Sequence, residues 1–193
     1  MPSSMTSQAH FSSSRPIISI GCHDGWSTAW LLRALRDNGG GRLHSFDRSG
    51  RARGNIPDAL AESRWSLTTG DARAAVGEMP RRIDYLFLDG SPSARFAKWY
   101  LPNLVAPLVS GTPVSFRNVF RHRVPLPLSG ASLILKWLRH NHMDYFTAAR
   151  ARQPVIHRQL NRVRWALGFN DPVHTGDHDP MIFFQAALRG FRR

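Results

Sequence analysis

Short apolar runs alternate with amphipathic segments over the first two thirds of the chain. Apolar runs of strand length lie at 16–20, 42–46, 65–71, 83–88 and 112–117. Apolar side chains recur at helical spacing in the segments 27–37, 57–63, 94–105 and 129–141. Ser27 or Thr28 is placed to cap the first of these helices. Strands and helices that alternate in this way predict an open α/β sheet of parallel strands.

The last third of the chain departs from this alternation. DYFTAA at 144–149 and MIFFQAAL at 181–188 predict two final strands that would pair as an antiparallel hairpin. The prediction is therefore a Rossmann-like, doubly wound and mostly parallel seven-stranded sheet, in a single domain over residues 15–193. The segment 151–179 is extra to this pattern and contains a helix candidate. The Ser-rich residues 1–14 are interpreted as a flexible tail.

The residues that could carry chemistry stand where the predicted strands end. In an open α/β sheet, ligands bind at the carboxyl ends of the strands, beside the point where the strand order reverses. These ends carry the loop GCHDG at 21–25, then Asp47, Gly70-Asp71, Asp89-Gly90-Ser91 and Arg117-Asn118. A glycine loop lets a ligand approach the backbone closely, and an acid after the second strand can hold the two hydroxyls of a ribose.

In order and spacing these motifs resemble those of the class I S-adenosylmethionine-dependent methyltransferases. The resemblance is greatest to a small bacterial branch with a Gly-x-x-x-Gly-x-Ser-Thr loop and an Asp-Gly-Ser after the fourth strand. The matching text is SIGCHDGWST, GRLHSFDRS, LTTGDARAAV and DYLFLDGSPSARFAKWYLPNLVAPLVSGTPV, within residues 16–147. One such motif alone is weak, whereas five in register are stronger. The resemblance implies an enzyme that uses S-adenosylmethionine to methylate a small-molecule acceptor at oxygen.

The resemblance also implies a role for each motif residue. The loop residues Gly21, Cys22, His23, Gly25 and Ser27 would surround the methionine part of the cofactor. Asp47 would hold the ribose hydroxyls, Asp71 would lie near the adenine amino group, and the Ala72 N–H would face the adenine ring. Asp89 would lie where cofactor and acceptor meet. Two ordinary alternatives stay open, because Asp71 could cap a helix and Asp89 could be a turn residue before Gly90.

Two positions depart from the family pattern. Ser19 stands where the family usually has an acid that orders the loop. Arg117 stands where metal-dependent O-methyltransferases of this fold have an acid, and a guanidinium should repel Mg²⁺ or Ca²⁺. The hypothesis is a metal-free site in which Asp89, Arg117 and His122 are the candidate catalytic residues, with Asp89 or His122 as the base. The alternatives are that Arg117 faces solvent or pairs with an acid, and that His122 is a surface residue.

The net charge of +13 is the most unusual feature of the composition. It favours anionic partners such as nucleic acid. However, 24 of the 26 basic residues are arginines, scattered along the whole chain, which is equally typical of a GC-rich coding sequence. An RNA-modifying methyltransferase is therefore the second hypothesis. A degenerate fold that acts as a non-catalytic ligand-binding or partner protein is the third.

The region between 151 and 179 allows several interpretations. A helix over 155–168 presents Arg158, Arg162 and Arg164, and it could serve as a lid, as a basic face, or as an amphipathic helix packed on the sheet. The HTGDHDP run that follows is interpreted as a polar turn, because its spacing matches no zinc pattern.

Cysteine usage and hydropathy bear on the location of the protein. A single cysteine, Cys22, fits a reducing compartment, so we expect a cytoplasmic protein. The sequence has no apolar run of membrane-spanning length, so no membrane partner is expected, and homo-oligomerisation stays open.

Overall fold

The fold is built on a six-stranded sheet, seen in a computed structural model that describes residues 15–121, 125–171 and 179–187. The strands are β1 (Pro16–Ile20), β2 (Arg42–Asp47), β3 (Trp65–Thr69), β4 (Tyr85–Leu88), β5 (Pro113–Phe116) and β6 (Ile182–Gln185). Their order across the sheet is β3-β2-β1-β4-β5-β6, and only β6 is antiparallel to its neighbour. The order reverses between β1 and β4, which places the ligand-binding crevice beside their carboxyl ends.

Helices cover both faces of the sheet, as a doubly wound fold requires. They are α1 (Trp26–Asp37), α2 (Ala52–Asn55), α3 (Asp58–Ala61), α4 (Ala94–Tyr100), α5 (Gly130–His140) and α6 (Pro154–Ala166). After α4 the chain continues in a wider π-helical turn at Leu101–Val105, where Pro102 lacks the N–H that a regular helix needs. No helix in the described parts of the chain is long and apolar enough to cross a bilayer.

Two hydrophobic clusters lie on opposite faces of the sheet. The larger one packs α4 and α5 against residues of β4, β5 and β6, including Leu86, Val114 and Ile182, all of which are almost fully buried. The smaller one packs Leu32 and Leu35 of α1 against Leu43 of β2 together with Ile56 and Leu60. The prediction of a Rossmann-like, mostly parallel α/β sheet with an antiparallel C-terminal pair is confirmed.

The prediction of seven strands is wrong, because the expected strand at 144–149 is reduced to one antiparallel bridge between Phe146 and Phe183. The two residues exchange both backbone hydrogen bonds, at 2.9 and 2.8 Å. The next backbone donor leaves the sheet, since the Thr147 N–H donates to the Gln153 side chain at 2.6 Å. The Ala148 carbonyl is likewise engaged by Nδ1 of His157, the buried residue of α6. Contacts with α6 and the residue before it therefore end the ladder after one residue.

The start of α1 also differs from the prediction. The helix begins at Trp26, and its N-cap is Gly25 with φ of 93°, rather than Ser27 or Thr28. Thr28 is instead fully buried, and no side chain caps the helix. The left-handed conformation at Gly25 turns the chain sharply from the loop into the helix, and glycine adopts it without steric cost.

Candidate cofactor and acceptor site

A cavity of about 630 Å³ opens at the carboxyl edge of the sheet, over the point where the strand order reverses. Its wall combines residues from the ends of β1, β2, β3, β4 and β5. They are Ile20, Gly21, His23, Phe46, Asp47, Arg48, Ser49, Gly70, Asp71, Ala72, Asp89, Gly90, Ser91, Pro92, Phe96, Asn118, Arg121 and Asp179. The structure therefore gathers most of the strand-end residues singled out in the sequence around one space.

Gly21 brings the first loop into direct contact with the end of β4. Its φ is 88°, and a Cβ at this position would lie 2.4 Å from the Asp89 carbonyl oxygen. No side chain fits at that distance, so only glycine lets the two strand ends close together. The loop is further tied to β4 by Nε2 of His23, which lies 3.2 Å from the same carbonyl oxygen.

Asp47 holds the glycine loop from the end of β2. Its Oδ2 accepts hydrogen bonds from the N–H groups of Cys22, at 2.6 Å, and His23, at 3.1 Å. Its Oδ1 accepts from the N–H and the hydroxyl of Ser49, at 2.7 and 3.1 Å. Burial disfavours the charged form of Asp47, but the hydrogen bonds from Ser49, Cys22 and His23 outweigh it and leave the pKa of Asp47 below its ordinary value.

Asp71 and Ala72 form the part of the wall that follows β3. The Asp71 carboxylate accepts from the backbone N–H of Arg73 and pairs with its guanidinium, and these contacts lower the pKa of Asp71. Asp71 does not cap an α-helix, because no α-helix lies between β3 and β4. It closes this local turn instead. Ala72 is buried, and none of the hydrogen bonds found among the described residues uses its N–H.

Asp89 lies at the end of β4 and is the most buried charged group of the site, with 2% of its surface exposed. Nη1 of Arg117 donates to its Oδ2 at 2.9 Å, and Nδ2 of Asn118 donates to its Oδ1 at 3.0 Å. Among the described residues, therefore, each oxygen of this carboxylate has a donor. Of the two alternatives for Arg117, the pairing with an acid is the one observed, and its side chain is also 45% exposed.

Three of the residues assigned to the cofactor loop lie behind the cavity or beside it. Cys22 is buried, and burial raises the pKa of its thiol. It packs with Ser19 of β1 and Thr28 of α1, both of which are fully buried. Gly25 is buried at the turn, and Ser27 faces a second cavity rather than this one.

Ser19 occupies the position at which the resemblance implies an acid that orders the loop. Its hydroxyl lies 3.5 Å from the Gly21 carbonyl oxygen, in a position with no exposed surface. In this chain the loop is held instead by Asp47, from the neighbouring strand.

Asp179 is a site residue that the sequence pattern does not reveal. The pattern places it in a polar turn, but the residue lines the cavity, and its carboxyl group lies near Asp89, Arg117 and Arg121. It shortly precedes β6, and the antiparallel pairing of β6 with β5 brings it to the same edge of the sheet. Nothing local in the sequence signals this proximity. His122 and the residues 172–178 of the HTGDHDP region lie outside the described residues.

The residues of the cavity fit S-adenosylmethionine in chemical character. Carboxylates and backbone N–H groups surround the space, as a ligand with ribose hydroxyls and a cationic sulfonium requires. The uncommitted N–H of Ala72 suits a ring nitrogen. Ribose hydroxyls would have to share the oxygens of Asp47 with the four donors that already contact them.

Comparison with known proteins identifies the family. A family model described as a methyltransferase domain matches residues 18–119, slightly more than half of the chain. A search of curated proteins finds no match.

Solved structures show the same fold at low sequence identity. An O-methyltransferase from Bacillus cereus, solved with S-adenosylhomocysteine, is 20% identical with a TM-score of 0.60, and the match covers 90% of this chain and 74% of that one. A methyltransferase from Podospora anserina, also bound to S-adenosylhomocysteine, is 14% identical with a TM-score of 0.59 over 89% and 71% of the two chains. A Clostridium thermocellum protein, provisionally assigned as an rRNA methylase, is 12% identical with a TM-score of 0.58 over 91% and 88%. The chain therefore belongs to the methyltransferase-domain family, and its fold is that of the class I S-adenosylmethionine-dependent methyltransferases.

Proposed function

We propose that this S-adenosylmethionine-dependent methyltransferase acts on a hydroxyl group of a small molecule and needs no metal ion. The observation that supports the absence of a metal is the pairing of Asp89 with Arg117 and Asn118 at the acceptor end of the cavity. The assignment to the small bacterial branch with the Asp-Gly-Ser motif and the cytoplasmic location belong to the same proposal. They rest on the sequence pattern.

S-adenosylmethionine, when bound, supplies a methyl group on a positively charged sulfur. The residues of the chain then have three tasks, which are to hold the cofactor, to hold the acceptor in line with the methyl, and to accept a proton. Asp47, Asp71 and Ala72 would hold the nucleoside, and the Gly21–His23 loop would hold the methionine part. The buried Asp89 carboxylate is fixed by its donors Arg117 and Asn118. It would orient the reacting groups at the place where cofactor and acceptor meet.

Arg117 takes the place that a divalent cation would need. Mg²⁺ and Ca²⁺ bind several oxygen ligands, most of them anionic. Here one oxygen of Asp89 already meets a guanidinium at 2.9 Å, and no group of three His, Cys, Asp or Glu side chains converges in the described parts of the chain. The positive charge that a metal would bring to this end of the site is thus present in the guanidinium.

A second cavity beside Arg117 would take the part of a small acceptor that is remote from the reacting hydroxyl. It has a volume of about 360 Å³ and is lined by Trp26, Trp30, Tyr85 and Phe87, among others. Trp26 and Trp30 are 75% and 54% exposed, so aromatic surface is available beside a guanidinium. Such a combination favours a planar molecule with a negative charge.

The cofactor site is tested by calorimetric titration of S-adenosylhomocysteine. We expect wild-type protein to bind it with micromolar affinity and Asp47→Ala to lose at least about tenfold, because the loop loses its anchor along with the ribose contact. Asp144→Ala, which removes an exposed carboxylate outside the cavity, serves as the control and should bind like wild type. An Asp47→Ala variant that binds as tightly as wild type would remove Asp47 from the site.

The absence of a metal is tested by adding an acid where the family pattern has one. Methyl transfer by wild type should be unaffected by EDTA or added Mg²⁺. Arg117→Asp should acquire Mn²⁺ binding, because it places a second carboxylate beside Asp89 and Asn118. Arg117→Gln, which removes the charge without adding an acid, should not. EDTA-sensitive activity in the wild type would contradict the proposal.

RNA modification is the second candidate function, and an exposed basic surface on α6 favours it. Arg158 and Arg162 are exposed on this helix, and Trp165 is 60% exposed beside them. Basic side chains interleaved with an aromatic ring are typical of surfaces that bind single-stranded nucleic acid. None of the residues 153–171 lines the cavity, so the interpretation of this helix as a lid finds no support.

A further inference from the structure

The carboxylates of Asp89 and Asp179, at the end of the cavity where the acceptor would bind, differ in the number of hydrogen bonds that they accept. Both oxygens of Asp89 accept hydrogen bonds, one from Arg117 and one from Asn118. Asp179 accepts one from the Phe120 N–H, but its Oδ1 is enclosed and has no partner among the described residues. A buried carboxylate oxygen without a donor is rare in folded proteins, and strain and a catalytic role are among its known explanations.

The position of Asp179 favours a catalytic role. The residue lines the same cavity as Asp89 and Asn118, at the end where β4 and β5 terminate. The charged groups around it follow two neighbouring strands: Asp89 after β4, and Arg117 and Arg121 after β5. Asp179 also has a φ of 52°, in the left-handed region, which aspartate adopts more readily than most residues other than glycine. An incompletely bonded carboxylate in a ligand cavity is a feature of functional sites.

We propose that Asp179, rather than Asp89, is the catalytic base that takes the proton from the hydroxyl of the acceptor. The step rests on the proposed function. A lone pair of the acceptor oxygen forms the new C–O bond while the S–CH₃ bond breaks and leaves its electron pair on sulfur. The hydroxyl proton passes to the carboxylate of Asp179, a residue of the cavity wall, and then to water. Asp89, which is paired with Arg117, acts as a positioning residue.

The charges around Asp179 support its role as the base, with Asp89 as a positioning residue. Burial raises the pKa of the Asp179 carboxyl, and the charge of Asp89 adds to the rise, while Arg117, the Phe120 N–H and Arg121 oppose it. A carboxylate with a raised pKa is a better proton acceptor at neutral pH than an ordinary aspartate. Because the base must be ionised, kcat/KM should increase as the pH rises through the pKa of Asp179.

The test compares acceptor probes that need a base with probes that do not. Phenol and catechol are largely protonated at about pH 8, whereas their 4-nitro derivatives are much more acidic and largely ionised. In Asp179→Asn, kcat/KM for the phenol and catechol should fall by about 10²–10⁴-fold, and for the nitro derivatives by less than about tenfold. The rise of kcat/KM with pH should also disappear. Asp144→Asn, which changes an exposed carboxylate outside the cavity, is the matched control.

Calorimetric binding of S-adenosylhomocysteine separates this inference from the proposed function. Asp179→Asn should bind it like wild type. Wild type that does not bind it refutes the proposed function itself. Binding without transfer to either member of a probe pair, an equal loss on both members, or an unchanged rate on phenol and catechol would each overturn the assignment of Asp179 as the base. Asp179→Glu keeps a carboxylate at this position. It should be more active than Asp179→Asn if the asparagine variant is inactive because it lacks a base.

Discussion

At the scale of single residues, Gly21 is the glycine of the cavity wall with the least room for a side chain. A Cβ on residue 21 would lie 2.4 Å from the carbonyl oxygen and 2.7 Å from the carbonyl carbon of Asp89, both of them backbone atoms that cannot rotate away. Gly21→Ala should therefore lower the free energy of unfolding by more than about 3 kcal/mol, as measured by urea denaturation.

Gly111 offers a matched control for that substitution. Its φ is 86°, against 88° at Gly21, but nothing lies within 4 Å of the Cβ it would carry. Gly111→Ala should cost only the strain of the left-handed conformation, about 1 kcal/mol. Equal losses in the two variants would mean that the contact with Asp89 does not constrain residue 21.

Asp47 gives the site a pH dependence of known sign. Its pKa is lowered in the folded protein, so its ionised form stabilises the fold fully above the pKa of the unfolded chain, near 4. That contribution is lost as the pH falls through the lower, folded pKa. Asp47→Asn should cost about 1–2 kcal/mol at about pH 7, because two N–H groups then face an amide nitrogen or lose their acceptor.

The difference between wild type and Asp47→Asn should shrink as the pH is lowered below about 4. Urea denaturation of both proteins at a series of pH values measures it. Asp58→Asn, which changes an exposed carboxylate, should show no such trend. A gap that stays constant with pH would indicate that the Asp47 carboxylate contributes through shape rather than charge.

At the scale of elements, sequence pattern predicts what is local and fails where a distant group intervenes. The runs PIISI and IDYLFL are apolar enough to predict β1 and β4 with small errors at their ends. DYFTAA has a strand-like pattern as well, yet it pairs through Phe146 alone because the side chain of Gln153 captures the Thr147 N–H. Parallel strands end at the same edge of a sheet, so the sequence predicts that the motifs at their ends lie together. The position of Asp179 depends instead on the antiparallel pairing of β6 with β5.

The apolar side chains of α6 and its C-terminal end are a second case in which the pattern misleads. Their spacing is that of an amphipathic helix packed on the sheet, with Leu160, Val163 and Leu167 in the interface. Leu160 is half-buried, whereas Val163 and Leu167 are exposed, at 56% and 68%. Val163→Glu with Leu167→Glu should therefore change the free energy of unfolding by less than about 0.5 kcal/mol.

Leu138 of α5 shows the contrast, since it is 1% exposed in the main core. Leu138→Ala should cost about 2–5 kcal/mol by the same urea measurement. A large loss in the α6 double variant would show that this helix packs against something in solution, and sedimentation would then decide whether a second copy covers it.

At the scale of the whole molecule, the charge of +13 makes a prediction that is independent of the catalytic site. Lysine and arginine side chains that neutralise phosphates release counterions, so affinity for RNA falls steeply as salt rises. Wild type should bind a fluorescently labelled single-stranded RNA at low salt, with a slope of log affinity against log salt of about −0.7 for each phosphate contacted.

The slope distinguishes a defined RNA surface from a diffuse basic composition. If the exposed arginines of α6 bind RNA phosphates, Arg158→Glu with Arg162→Glu should make the slope shallower by about 1.4, because two phosphates are no longer neutralised. Arg51→Glu with Arg53→Glu changes the net charge equally at two exposed arginines near α2 and should alter the affinity much less. If both double variants weaken binding alike, the arginines act only through net charge. An absence of binding at low salt would leave a small hydroxyl compound as the acceptor to pursue.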